Sequence, residues 1–314
     1  MNIQKKLICS LAVFLSFGAF AAEEKEDLLW GVTLGVASLD FESERPGDGY
    51  TLYEDATYTP FVFGIDVGRG NHSVSYKITS AGDEDYNRER VPATDTVDNS
   101  LNRVTVEGRD HKETTITYQY QIERFPGWGL GIQYNDVENK YSGTQKADYE
   151  HYYWDGQYGT DAQLDGWGFF GTYVRPIQDT KWVFAAKLGV ALTDYEASWQ
   201  YDRQINTTDS YYDVLTNLDG STLTSSELST GDATSAIIGL TMAYVASPKS
   251  VVYFNFDTRV DDFGELNVAI NPTTGTGYWE NYEEGDDFQN SIELAAGLEE
   301  TNWKFAIEWR YSLN

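Results

Sequence analysis

The stretch NWKFAIEWRYSLN, residues 302–314, decides how the rest of the chain is read. From Phe305 every second residue is large and apolar: Phe305, Ile307, Trp309, Tyr311 and Leu313. Between them stand Lys304, Ala306, Glu308, Arg310 and Ser312. Side chains of a strand alternate between its two faces, so this segment has one greasy face and one charged face. The greasy face meets either a protein core or lipid.

The other end of the chain favours lipid. Residues 1–21 have the layout of an export signal: Lys5 and Lys6, an apolar run from Leu7 to Phe20, and the small-x-small site Ala19-Phe20-Ala21. Residues 22–314 are then a single domain. The chain's one cysteine, Cys9, lies early in the apolar run, so the exported part is expected to be free of disulfides. After the leader, no run of 18 apolar residues occurs, so a membrane can be crossed only with strands.

Composition agrees with an all-β chain. Tyr (23) and Gly (28) are abundant, Met (2) is scarce, and long apolar patterns of helical period are missing. With 50 acidic and 22 basic residues the net charge is −28, which makes nucleic acid and bare anionic lipid poor partners.

Alternation like that of the last strand recurs from Trp30 onward. It is seen in LWGVTLGVA, PFVFGIDVG, HSVSYKIT, TTITYQYQI, WGLGIQYN, WGFFGTYV, WVFAAKLGVALT, SAIIGLTMAYV, SVVYFNFDT and NSIELAAGLE. Each run is about the length that a tilted strand needs to cross a bilayer. The connections sort into two kinds. Short ones are expected at 68–71, 123–127, 175–180, 246–249 and 299–302, and long ones near 43–57, 80–112, 137–165, 194–232 and 259–287. Trp30, Trp128, Trp182 and Trp303 each open a strand beside a short turn or the start of the mature chain, as an aromatic girdle at one membrane interface would.

Together these features resemble the broad class of Gram-negative outer-membrane β-barrels, over essentially the whole exported chain. The resemblance implies an antiparallel transmembrane barrel with short periplasmic turns and long acidic extracellular loops. It implies an outer-membrane location among lipid and lipopolysaccharide. It also implies a last strand (Phe305, Ile307, Trp309, Tyr311, Leu313) that serves as the signal for the barrel-assembly machinery. The departure is the ending on Leu313-Asn314, where many members finish on an aromatic residue. Eleven runs are counted where the class has even numbers. Twelve strands are expected, the twelfth from Leu266, Val268 and Ile270, with ten as the alternative. Alternation inside the long loops predicts that several strands continue above the membrane as paired ribbons.

The face opposite the apolar one carries Asp66, Lys77, Lys187, Asp257, Glu293, Lys304, Glu308 and Arg310. These are the candidate lumen residues, and they balance in charge. Because most other inward positions are Gly, Ala, Ser, Thr or Gln, a narrow passive channel for small cationic or neutral solutes is expected. A surface-display or structural barrel with a plugged lumen is the alternative. A hydrolase of the omptin or barrel-lipase kind is the third reading, with Asp110–His111 or His151 as its base. No catalytic residue is assigned and no cofactor is expected. The acidic runs 83–85 and 283–287 lack the spacing of a calcium loop, so no metal site is assigned either, although divalent cations are possible partners there.

Overall fold

A computed structural model describes residues 28–47, 50–81, 86–92, 101–148, 152–207, 222–270, 274–275 and 299–313. The expected export signal, Glu293, His151 and both acidic runs lie outside these residues.

Every regular element of the described chain is a strand: β1 (Leu29–Gly47), β2 (Tyr50–Tyr58), β3 (Phe61–Arg69), β4 (His72–Ala81), β5 (Tyr86–Pro92), β6 (Leu101–Gln121), β7 (Trp128–Asp148), β8 (Tyr152–Pro176), β9 (Trp182–Thr207), β10 (Thr222–Ser247), β11 (Ser250–Ile270), β12 (Thr274–Gly275) and β13 (Glu299–Ser312). Ladders are antiparallel throughout, and β13 pairs with both β11 and β1, which closes the sheet on itself. Closure leaves no open edge at membrane height, as hydrocarbon requires.

Ten segments form the ring: β1, β3, β4, β6, β7, β8, β9, β10, β11 and β13. The others continue ring strands upward. β1 pairs with β3 through residues 29–36 and with β2 through 39–47, so β2 prolongs β3 past a break at Thr59-Pro60. Pro60 has no N–H for the ladder, but its carbonyl still accepts from the Ala37 amide at 2.9 Å. β5 stands in the same relation to β4.

The strand count is therefore ten, the smaller of the two expected numbers. Two readings cause the difference. Leu266 to Ile270 belong to the upper part of β11, beyond a register shift opposite Gly231 and Ala233. NSIELAAGLE falls mostly outside the described residues. A second correction concerns residues 299–302. They are not a turn but the outer end of β13, paired with residues 41–44 of β1 and 259–262 of β11. Trp303 consequently sits opposite Asp40 and Thr258, far from the rim where Trp30 lies across from the chain's end.

The four remaining short turns share one rim: Arg69–His72, Gln121–Trp128, Pro176–Trp182 and Ser247–Ser250. Gly127 has a φ of 87°, which L side chains avoid, and a Cβ there would strike the Val174 carbonyl. Away from this rim the strands run long. β9 and β10 each have 26 residues where about ten suffice for a bilayer. At ~3.3 Å per residue and a tilt near 40°, the wall rises roughly 35–40 Å past the membrane. Much of what the sequence suggests as loop at 137–165 and 194–232 is this wall, a continuous sheet.

Candidate functional site

The two faces of the wall have opposite chemistry. On the outside, Leu34, Phe63, Ile116, Leu130, Phe169, Leu188, Val190, Leu240 and Ile307 are all exposed. The belt ends abruptly. Its last row aligns Tyr134, Trp167 and Leu192 on β7, β8 and β9, and two residues higher Asp136, Asp165, Asp194 and Asp232 stand directly opposite one another across β7–β10. Such a step from apolar to anionic marks the edge of hydrocarbon. Tyr134 donates to Asp165 across it at 2.9 Å. Higher still, Lys140 and Asp161 pair at 3.1 Å, and the carboxylate raises the lysine's pKa.

Trp30, Trp128 and Trp182 open their strands at the short-turn rim, and Trp128 and Trp182 pack on Tyr173 and Tyr244 at 5.0 and 5.1 Å between ring centroids. Trp303 packs on Phe256 at 5.7 Å at the opposite edge of the belt. The four tryptophans thus occupy two rims, not one. On the closing strand Phe305, Ile307, Trp309, Tyr311 and Leu313 all point outward, and Trp309 donates its indole N–H to Ser250 Oγ at 2.7 Å.

Inside, seven of the eight candidate lumen residues are described, and each is paired. Lys77 donates to Glu308 at 2.7 Å, and Arg310 grips both carboxylate oxygens of Asp66, its Nε lying 2.8 Å from Oδ1. Lys187 and Asp257 approach to 3.6 Å. Lys304 reaches Glu113 at 2.7 Å and Thr79 at 2.9 Å. Sequence reading misses Glu113 and a further group in which Arg259 donates to Asp261 at 2.6 Å and to Ser235 at 3.0 Å. The signal for both is present: the odd-numbered inward series of β6 and β11 simply runs on past Thr115 and Asp257.

The small inward residues turn out to be seats. A Cβ on Gly31 would land on the Arg310 guanidinium, and one on Gly131 would land in the Phe170 ring. A Cβ on Gly35 would come within 2.9 Å of Glu308 Cγ, one on Gly189 within 2.6 Å of Phe170 Cβ, and one on Gly239 within 3.1 Å of Lys187 Cε. Each glycine lets a long neighbour lie flat across the lumen. As a result Glu308 is 4% exposed, Arg310 5%, Phe170 5% and Gln121 1%. Below this layer Val174, Val183, Val245, Val251 and Tyr253 form an apolar cluster at the short-turn rim. Above it Leu164, Tyr195, Ala233 and Phe263 form another, Tyr195 and Phe263 meeting edge to face at 5.0 Å.

The Asp110–His111 pair, one of the bases offered for the hydrolase reading, does not form. Adjacent strand residues face opposite ways, so Asp110 is exposed outside while His111 is buried inside, its Nδ1 2.8 Å from Asn139 Oδ1 and its ring tilted against Tyr58 at 5.7 Å between centroids. His72 is at the short-turn rim against Tyr118. Among the described residues no three His, Cys, Asp or Glu side chains gather into a metal site.

The outer-membrane protease OmpT from Escherichia coli superposes with a TM-score of 0.52 at 12% identity, over 94% of this chain and 99% of OmpT. The fold is that of the Gram-negative outer-membrane β-barrel. The apolar belt is what a barrel of this fold turns toward lipid. Lower-scoring matches include the translocator domain of autotransporter NalP from Neisseria meningitidis (TM-score 0.41, 8% identity, 90% and 88% covered) and the outer membrane protein OprG from Pseudomonas aeruginosa (0.31, 10%, 94% and 100%). No protein-family model matches the chain, and neither does any curated protein.

Proposed function

We propose that this protein is a closed-lumen barrel that works through its tall extracellular wall, as a structural or surface-display protein, and not as an open pore. The filling of the inward glycines by Arg310, Glu308, Lys187 and Phe170 carries this reading. A water-filled channel leaves inward side chains wet, whereas here several are buried at three successive levels. The small inward residues that suggest a conduit in the sequence are what allows the plug to pack. Within the same proposal, the aspartate row at residues 136, 165, 194 and 232 meets the outer leaflet at the height of lipopolysaccharide phosphates, with divalent cations bridging the two acidic surfaces. The closing aromatic strand is what the assembly machinery reads.

Conductance of the purified barrel in planar bilayers tests the central statement. The wild-type protein is expected to stay silent at concentrations where porins open at once. Discrete open levels with a cation preference would restore the channel reading.

A further inference from the structure

The lumen ion pairs have a pattern that stability alone does not require. Three charged inward residues of β13 reach past their ladder neighbours to more distant strands: Arg310 to Asp66 on β3, Glu308 to Lys77 on β4, and Lys304 to Glu113 on β6. They also alternate in sign, Glu308 and Arg310 answering Lys77 and Asp66.

We infer that these pairs fix the register in which the last strand closes on the first. This holds whether or not the wall is the working surface. The β1–β13 seam is the joint where register is least constrained, because no turn links the two strands, whereas β10 and β11 are set by the turn at Ser247–Ser250. Slipping β13 by one residue would turn its charges to lipid and is forbidden. Slipping by two keeps each face inward or outward and keeps most of the backbone ladder. The lipid face hardly distinguishes the registers either, since an apolar side chain stands at every second position from Phe305 to Leu313. The charges do distinguish them. If each residue takes the place of the one two before it, Arg310 arrives beside Lys77 and Ser312 leaves Asp66 unpaired. In the opposite slip Glu308 arrives beside Asp66 and Ala306 leaves Lys77 unpaired. Both even slips therefore put like charges together in a lumen where Glu308 and Arg310 are largely shut off from water.

Disulfide trapping in a C9S background reads the register directly. Val36 and Ile307 are opposite on the outer face. Opposed Cα atoms are about 5.5 Å apart, inside the range a disulfide spans, and diagonal neighbours at about 7–8 Å are outside it. V36C/I307C should cross-link, while V36C/F305C and V36C/W309C should not. Exchanging the code with E308R/R310E should lower the native cross-link about tenfold or more, either by raising one of the slipped ones or by preventing closure. Adding D66K/K77E should restore the native cross-link in the same protein. A merely stabilising role predicts a weaker barrel with an unchanged register. The inference is overturned if the exchanged protein keeps the wild-type V36C/I307C yield, or if the fourfold variant fails to recover it.

Discussion

At the scale of the residue, the interior is a set of matched large and small partners. Gly131 and Gly189 flank Phe170 from the two neighbouring strands, and neither has room for a methyl group. Gly131→Val should cost about 1–3 kcal/mol through overpacking, measured by equilibrium urea unfolding in lipid vesicles. Combining it with F170A should return part of that loss, because the two positions share one space. The Asp66–Arg310 pair behaves differently. Arg310→Met alone strands a carboxylate in the lumen and should cost about 3–5 kcal/mol, whereas D66L/R310M together should be close to neutral in the same assay. Equal losses in the single and double variants would show that the pair is not what holds these side chains.

At the scale of the element, the strands carry two sequence patterns end to end. Lower halves read apolar against polar and cross the membrane. Upper halves read polar against apolar with the faces exchanged, as in Asp194-Tyr195-Glu196-Ala197, where Tyr195 and Ala197 are buried inside and the acids face out. That second pattern is weak in sequence because the outward face is no longer hydrophobic, which is why these halves pass for loops. Paired on both sides, they should be as protected as ordinary sheet. Ala197, between Ala162 on β8 and Ser229 on β10, tests this. Ala197→Pro removes a ladder donor and leaves a carbonyl without its partner, at about 1–3 kcal/mol, so proteinase K cleavage of the exposed wall should speed up about tenfold. Unchanged cleavage would mean that the upper wall is not continuous sheet.

At the scale of the whole molecule, the belt fixes orientation and depth. Leu240 faces outward near its middle, and L240R should cost about 2–4 kcal/mol of folding stability in lipid, whereas a change to Arg at Asp194, above the belt, should be nearly free. Depth also separates the tryptophans. In single-tryptophan variants, brominated lipid confined to one leaflet should quench Trp128 and Trp182 together and Trp303 only from the other leaflet. Quenching of all four from a single side would reinstate one girdle.

The sequence by itself determined the two-faced strand, and with it the all-β barrel, the lipid-facing side chains and the inward position of Lys304, Glu308 and Arg310. That information is local, since a period of two is written in each strand separately. The tertiary structure alone decided the strand number, the rim to which Trp303 belongs and which inward side chains lie over the lumen's glycines. Those depend on which strands pair and in what register, so that Gly31 lies beneath Arg310 and Gly131 beneath Phe170. A glycine facing inward reads the same in sequence whether water or a neighbour's side chain fills the space above it, and only closure of the ring brings the neighbour there.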